Sequence, residues 1–177
     1  ERQRVAGLCL LTLKPVLYVA NVGEGGSPQE LDRWNLGLPR EDEGELVLPV
    51  SLGIEGELAF LEPEERGEFL AELGYDSEAL ARLIHGAYAV LDLITFFSTN
   101  SKQPSAWTIR RGTRAPEAAG VIHTDFQRGF IRAEAIGFEE FVEAGSMKAA
   151  RDRGLIRSEG KEYVVADGDI LLFRFNV

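Results

Sequence analysis

Residues 14–24 read KPVLYVANVGE, and the fold of the first half of the chain turns on them. Pro15 fixes the backbone ahead of the run Val16-Leu17-Tyr18-Val19-Ala20. That run is wholly apolar and rich in β-branched and aromatic residues, without alternation. Such a pattern predicts a strand covered on both faces, as in a parallel sheet between helices. It ends at Asn21 and opens into Val22-Gly23-Glu24-Gly25-Gly26. Ligands of open α/β sheets bind beyond the carboxyl ends of the strands, where Asn21 and Glu24 fall. Spacing alone is met as well by a turn in which Asn and Gly do turn chemistry.

Working outward, Leu46–Val50 is a second short apolar run that ends in Ser51-Leu52-Gly53. Two strands separated by a helical signal predict a parallel pair. The signal is Ser27-Pro28-Gln29-Glu30, a capping residue, a proline for the first turn and a capping-box acid. The acidic link Glu41-Asp42-Glu43-Gly44-Glu45 reads as a solvated loop. Helices are expected over 53–61, from Pro63 to near Gly74, and from Asp76-Ser77 to about Asp92. In the last of these, Leu80, Leu83, Ile84, Ala87, Tyr88 and Leu91 fall on one stripe, the expected buried face. Ser51 reads either as a ligand-edge residue or as the cap of the helix after it.

From residue 93 the pattern changes to strands: Leu93–Phe97, Ala106–Arg110, Phe130–Ile136 and a closing hairpin of Tyr163–Val165 with Ile170–Phe175. Short helices are expected before His123, after a capping box at Thr124, over Phe138–Ala144 and over Ser146–Arg153. The predicted boundary therefore divides residues 1–92 from residues 93–177. Charge divides the same way. Residues 1–92 carry 18 acids and 7 bases, and residues 93–177 carry 11 and 12, within a net charge of −10. Two modules with different partners are implied, and the acidic one does not attract nucleic acid by charge.

No apolar run approaches the ~20 residues of a membrane span. The single Cys9 excludes an internal disulfide and is expected to be a buried structural thiol. The chain starts at Glu1 and its only methionine is Met147, so a piece of a longer protein is expected.

Asn21-x-x-Glu24 at a strand end, with Ser51 at the end of the next strand, resembles the base-recognition elements of the YchF/Obg-like ATPase family. In ordinary GTPases the first motif is Asn-Lys-x-Asp, whose Asp reads guanine. Here Val22 takes the Lys place and Glu24 the Asp place, a variant that goes with ATP in the family. The second half resembles the β-grasp TGS module of that family. The resemblance rests on Trp107-Thr108-Ile109, Ala115-Pro116, Ile122-His123-Thr124-Asp125-Phe126, Gly129–Glu134, Gly160-Lys161 and Asp167-Gly168-Asp169. It implies an α/β fold: part of a P-loop NTPase, a parallel sheet with flanking helices, followed by a β-grasp domain. On this basis residues 1–92 are the later part of the nucleotide-binding domain and residues 93–177 the TGS domain.

The same resemblance implies ATP or GTP hydrolysis with Mg²⁺, a ribosomal partner, a cytoplasmic site and a monomeric state. Asn21, Val22, Glu24 and Ser51 would read the base. No Gly-x-x-x-x-Gly-Lys-Ser/Thr occurs in the sequence, so no residue here is assigned to catalysis or to Mg²⁺, and the chain alone is expected to bind ATP weakly. The alternative is a binding module that contacts RNA or the ribosome. Its candidates are Arg110, Arg111, Arg114 and Arg128, in a segment that also holds Lys102 and Arg132 against Glu117 and Asp125. Trp107, Phe126 and Phe130 interleave with them as a stacking platform would, although Phe130 reads better as core. His123 with Asp125 lacks a nucleophile, so catalysis there is not expected.

Overall fold

The computed structural model describes residues 6–23, 46–75, 77–99 and 103–176. The expected helix from Ser27, the acidic link 41–45, and Glu24 and Lys102 lie outside them. The chain divides into two compact units, Glu1–Leu91 and Asp92–Val177.

In the first unit β1 (Leu17–Asn21) pairs with β2 (Leu46–Val50) in parallel, with Asn21 opposite Val50, as the sequence predicts. The ladder continues one residue further, where Val22 N–H donates to the Val50 carbonyl at 2.9 Å. β1 is not covered on both faces, however, because Val19 keeps 52% of its surface exposed. Ser51 caps α1 (Leu52–Leu58), its Oγ accepting from Ile54 N–H. α2 (Pro63–Glu72) opens with proline in its first turn and with the Glu65 carboxylate bonded back to Glu62 N–H at 3.3 Å. Ile54, Leu58 and Leu70 form the small core of α1 and α2, with Leu61, Phe69 and Tyr75 against it.

α3 (Ala79–Val90) starts later than the Asp76-Ser77 signal. Its first N–H, from Ala79, donates to Glu55 Oε1 of α1 at 2.8 Å, so a tertiary partner caps it. The expected stripe is also reversed. α3 buries its small residues Ala79 and Gly86, while Leu80 and Ile84 stay 62% and 49% exposed. Small residues let this helix approach its neighbours closely, which turns the large side chains outward. Cys9 is exposed, not buried, because Leu8, Leu10 and Leu11 around it are exposed as well.

The second unit is a five-stranded mixed sheet in the order β4-β3-β7-β5-β6. β3 (Leu93–Ser98) runs antiparallel to β4 (Ser105–Arg110) and parallel to β7 (Asp169–Phe175). β5 (Phe130–Gly137) is antiparallel to both β7 and β6 (Arg157–Glu159). First and last strands side by side in parallel, each flanked by an antiparallel neighbour, make a β-grasp sheet. The expected closing hairpin does not form. β7 pairs with β3 and β5, and Val164 instead bridges Arg114, with Ala115 N–H donating to the Tyr163 carbonyl at 2.8 Å. β6 is short and charged and has no apolar alternation to announce it, as suits a sheet edge.

α4 (Ala115–Ile122) lays Ala115, Ala118 and Ala119, each 0% exposed, onto Ile94, Phe96, Phe130, Leu171 and Phe173. α5 (Thr124–Arg128) is capped by His123, not Thr124. His123 has extended dihedrals and its Nδ1 accepts from Asp125 N–H at 3.2 Å. α6 (Phe138–Ala144) and α7 (Met147–Asp152) cover Ile136 and Ile170. Gly129 joins α5 to β5 with its Cα against the Asn176 backbone, and a Cβ there would collide with that carbonyl.

Candidate nucleotide-base edge and basic surface

Parallel pairing delivers Asn21 and Ser51 to the same end of the strand pair. Asn21 Oδ1 accepts from Leu52 N–H at 3.3 Å, which ties the β1 end to the first turn of α1. Asn21 is exposed, and no partner for its Nδ2 is seen among the described residues. An exposed carboxamide fixed through its oxygen leaves two N–H donors for a ligand. Ser51 is 4% exposed with its hydroxyl engaged as a helix cap, so what it can offer a ligand is backbone. Val22 is 5% exposed and its N–H is taken by the ladder, so its side chain packs inward. Glu24 lies outside the described residues.

Spacing gave no hint of two supporting residues, because their partners are 24 and 33 positions away. Arg82 Nη1 donates to the Pro49 carbonyl at 3.2 Å, and its guanidinium lies 4.7 Å from the Tyr75 ring centroid. It braces β2 just ahead of Ser51. Its Nε is buried without a hydrogen-bond partner among the described residues. Glu55, one turn into α1, holds the start of α3.

The four arginines of the basic segment separate on inspection. Arg111 pairs with Asp92 at 3.3 Å, Arg114 with Glu162 at 2.9 Å, and Arg128 with Asp125 at 3.9 Å. Such exposed pairs are weak and screened by salt. Arg110 is exposed and makes no ion pair among the described residues. The aromatic residues do not form a platform. Trp107 packs on the core and donates from Nε1 to Ser98 Oγ at 3.0 Å, Phe126 stacks on Phe175 at 4.0 Å, and Phe130 is buried. Among the described residues no three His, Cys, Asp or Glu side chains converge on a metal position. An open cleft of about 530 Å³ beside β3 is lined by Phe97, Phe138, Glu139 and Asp167, and by none of the predicted site residues.

Two polar networks knit the sheet. Asp169, 2% exposed, accepts from Tyr163 OH at 2.7 Å and from Ala166 N–H at 2.9 Å, with Arg157 at 3.5 Å. Burial, reinforced by the bond to Asp169, raises the Tyr163 phenol above its ordinary value. Glu134 is held below the usual carboxylate range, first by its hydrogen bond from Arg174 and then by Arg151, against the opposing effect of burial. A depressed folded value means stability that is present above pH 4.5 and is lost as pH falls through the folded value. Urea midpoints followed from neutral pH downward should show that decline, and Glu134→Gln should flatten it. An identical acid limb in the variant would show that other carboxylates carry it.

A parallel strand pair with a fixed carboxamide at its end, followed by a β-grasp unit, makes an α/β chain with a ubiquitin-like second domain. Comparison with known proteins agrees. Residues 93–176 match the family described as YchF-GTPase_C, a protein of unknown function (DUF933). The whole chain is 46% identical over 182 residues to the ribosome-binding ATPase YchF of Haemophilus influenzae and covers 49% of it. Over 94% of its length it is 41% identical to Obg-like ATPase 1 of Pongo abelii, covering 43% of that protein. A solved YchF GTPase of Schizosaccharomyces pombe superposes with a TM-score of 0.76 at 32% identity, over 97% of this chain and 46% of that one. A GTP-binding protein of Pyrococcus horikoshii shares the fold, with a TM-score of 0.61 at 22% identity over 92% of this chain and 46% of that one. The chain belongs to the YchF/Obg-like ATPase family. It spans about half the length of the curated relatives it matches.

Proposed function

We propose that this chain is the base-reading edge and TGS domain of a ribosome-associated switch protein that binds and hydrolyses ATP or GTP in its complete form. The observation that carries this reading is the Asn21 carboxamide, fixed by Leu52 N–H beside the exit of a parallel strand pair. Asn21 and Glu24 read the base, Val22 supports the loop from within, and the Ser51 backbone closes over the ring. Relatives named ribosome-binding ATPases support the partner, and a cytoplasmic site goes with it. Among the described residues no helix is long and apolar enough to cross a membrane. The exposed apolar side of α3 suits a unit that packs against the phosphate-binding part of such a protein. No ligand cluster is present among the described residues, so no step is assigned to Mg²⁺ in this chain.

Loss of one polar base contact costs about 1–3 kcal/mol, which is roughly fivefold to a hundredfold in affinity. Asn21→Ala in the intact protein should therefore weaken ATP by at least about fivefold in a calorimetric titration, with the fold unchanged. Equal affinities would remove Asn21 from the site.

A second reading is favoured by Arg110, exposed at the end of β4 and without an ion pair among the described residues. In it, Arg110, with Arg111, Arg114 and Arg128 as weaker contributors, touches ribosomal RNA, and the TGS domain acts without catalysis.

A further inference from the structure

At the end of that basic segment, Arg132 shares one carboxylate with two guanidinium groups from later in the chain. Arg174 Nε donates to Glu134 Oε1 at 3.1 Å and Arg151 Nη2 to Oε2 at 2.9 Å, while Arg132 Nη2 stands 3.5 Å from Oε1. They come from three elements, β7, α7 and β5. No second carboxylate pairs with any of them among the described residues, so two positive charges stay uncompensated.

The backbone builds this arrangement on purpose-made geometry. Between the pairs Phe130↔Phe175 and Arg132↔Arg174, β5 carries one residue more than β7, a bulge at Ile131. The bulge lets Phe130 enter the core while Arg132 and Glu134 both take the opposite face, with Ala133 buried between them. Bulges re-aim side chains in this way, and they gather beside functional sites. The bulge also sets Arg132 directly opposite Arg174, and like charges across a ladder destabilise it. One Glu beneath offsets only part of that repulsion.

Exposure shows which way the cluster faces. The Glu134 side chain is 12% exposed, whereas those of Arg132, Arg151 and Arg174 are 51%, 58% and 49% exposed. The carboxylate lies below and the guanidiniums turn outward. Each guanidinium has five N–H donors, of which the contacts to Glu134 and to Ser158 Oγ use few. A planar fork with spare donors is the group that grips phosphate in bidentate fashion.

We propose that Arg132, Arg151 and Arg174 form a phosphate-binding site whose ligand is the phosphodiester backbone of a nucleic acid. The site is an open face of a sheet, so a single small phosphate gains few contacts there, whereas a polymer brings several. The cluster holds no aromatic side chain on which a base could stack, so binding is indifferent to sequence. The choice of nucleic acid as the source of phosphate rests on the ribosome reading above; the three-arginine geometry does not.

The test uses the whole chain and a fluorescent uridine 12-mer RNA, with a DNA of the same length beside it, in anisotropy titrations across a range of salt. The double variant Arg132→Gln/Arg174→Gln removes the opposed charges and should stay folded by circular dichroism. It is expected to bind about tenfold more weakly at low salt, with a salt slope flatter by about 1.4, at about 0.7 per single-strand contact. Unchanged affinity and slope in the folded double variant overturn the proposal, as does a parent chain that binds neither oligomer. Should the double variant not fold, Arg151→Gln on α7 decides by the same criterion, with a slope flatter by about 0.7 expected. Displacement of the RNA by millimolar inorganic phosphate alone overturns the nucleic-acid assignment in favour of a small-anion site. The Asn21→Ala titration is read on nucleotide, so either result can fail without the other.

Discussion

Phe96→Ala is expected to lower the stability of the second unit by about 3–5 kcal/mol, the range for truncating a buried aromatic side chain. Phe96 is 0% exposed in the middle of β3 and meets Phe173 edge to face, with ring centroids 6.0 Å apart. Five members of the same core cluster are alanines. Ala115, Ala118, Ala119, Ala133 and Ala135 have no side chain that could relax into the vacated space. The cavity therefore stays open, and the cost falls at the upper end of the range. A domain of this size has only about 5–15 kcal/mol to lose. Trp107 stands directly opposite Phe96 across the ladder, which makes its fluorescence a local reporter. Urea unfolding followed at that tryptophan should show a large drop in midpoint. A change below about 1 kcal/mol would mean that the sheet and α4 close up around the gap, contrary to close packing of the core.

Glu24→Asp in the intact protein is expected to move the nucleotide preference toward GTP by on the order of a hundredfold, because a site built to pair polar groups discriminates strongly against a base that leaves them unpaired. A shorter carboxylate restores the reach to the two guanine protons that a Glu overshoots. Adding Val22→Lys, as the Asn-Lys-x-Asp comparison suggests, is not advisable here. Val22 is 5% exposed, and a lysine would have to bury its ammonium or displace the strand end. The single change is the cleaner experiment. Competition between ATP and GTP, measured for parent and variant, gives the answer. An unchanged ratio would take Glu24 out of base selection and leave the choice to the backbone around Ser51.

The arginines of the second unit show how local text and tertiary pairing differ. A count over residues 102–132 suggested one basic face with aromatic rungs. In the fold, Arg111, Arg114 and Arg128 each meet a carboxylate, and Asp92 and Glu162 lie outside the segment counted. The aromatic side chains turned into the core because a small β-grasp sheet has few large residues with which to fill it. An excess of charge gathers at the edge of that segment, where Arg132, Arg151 and Arg174 meet over Glu134 although up to 42 positions separate them in sequence.

The sequence by itself determined the parallel pairing of β1 with β2, the place of Asn21 and Ser51 at one end of it, the capped start of α2, and most strands of the second unit. These follow from short-range physics: apolar runs, proline at a first helical turn and an acid three residues on act over a few positions. The tertiary structure alone decided the rest. It capped α3 with Glu55, turned Leu80 and Ile84 outward, made His123 the cap of α5, set β7 between β3 and β5 in place of a hairpin, and added the edge strand β6. Each of these depends on a partner distant in sequence or on which side of an element finds something to pack against. Hydrogen-bond satisfaction and close packing are settled between elements, and no spacing rule within one element can announce them.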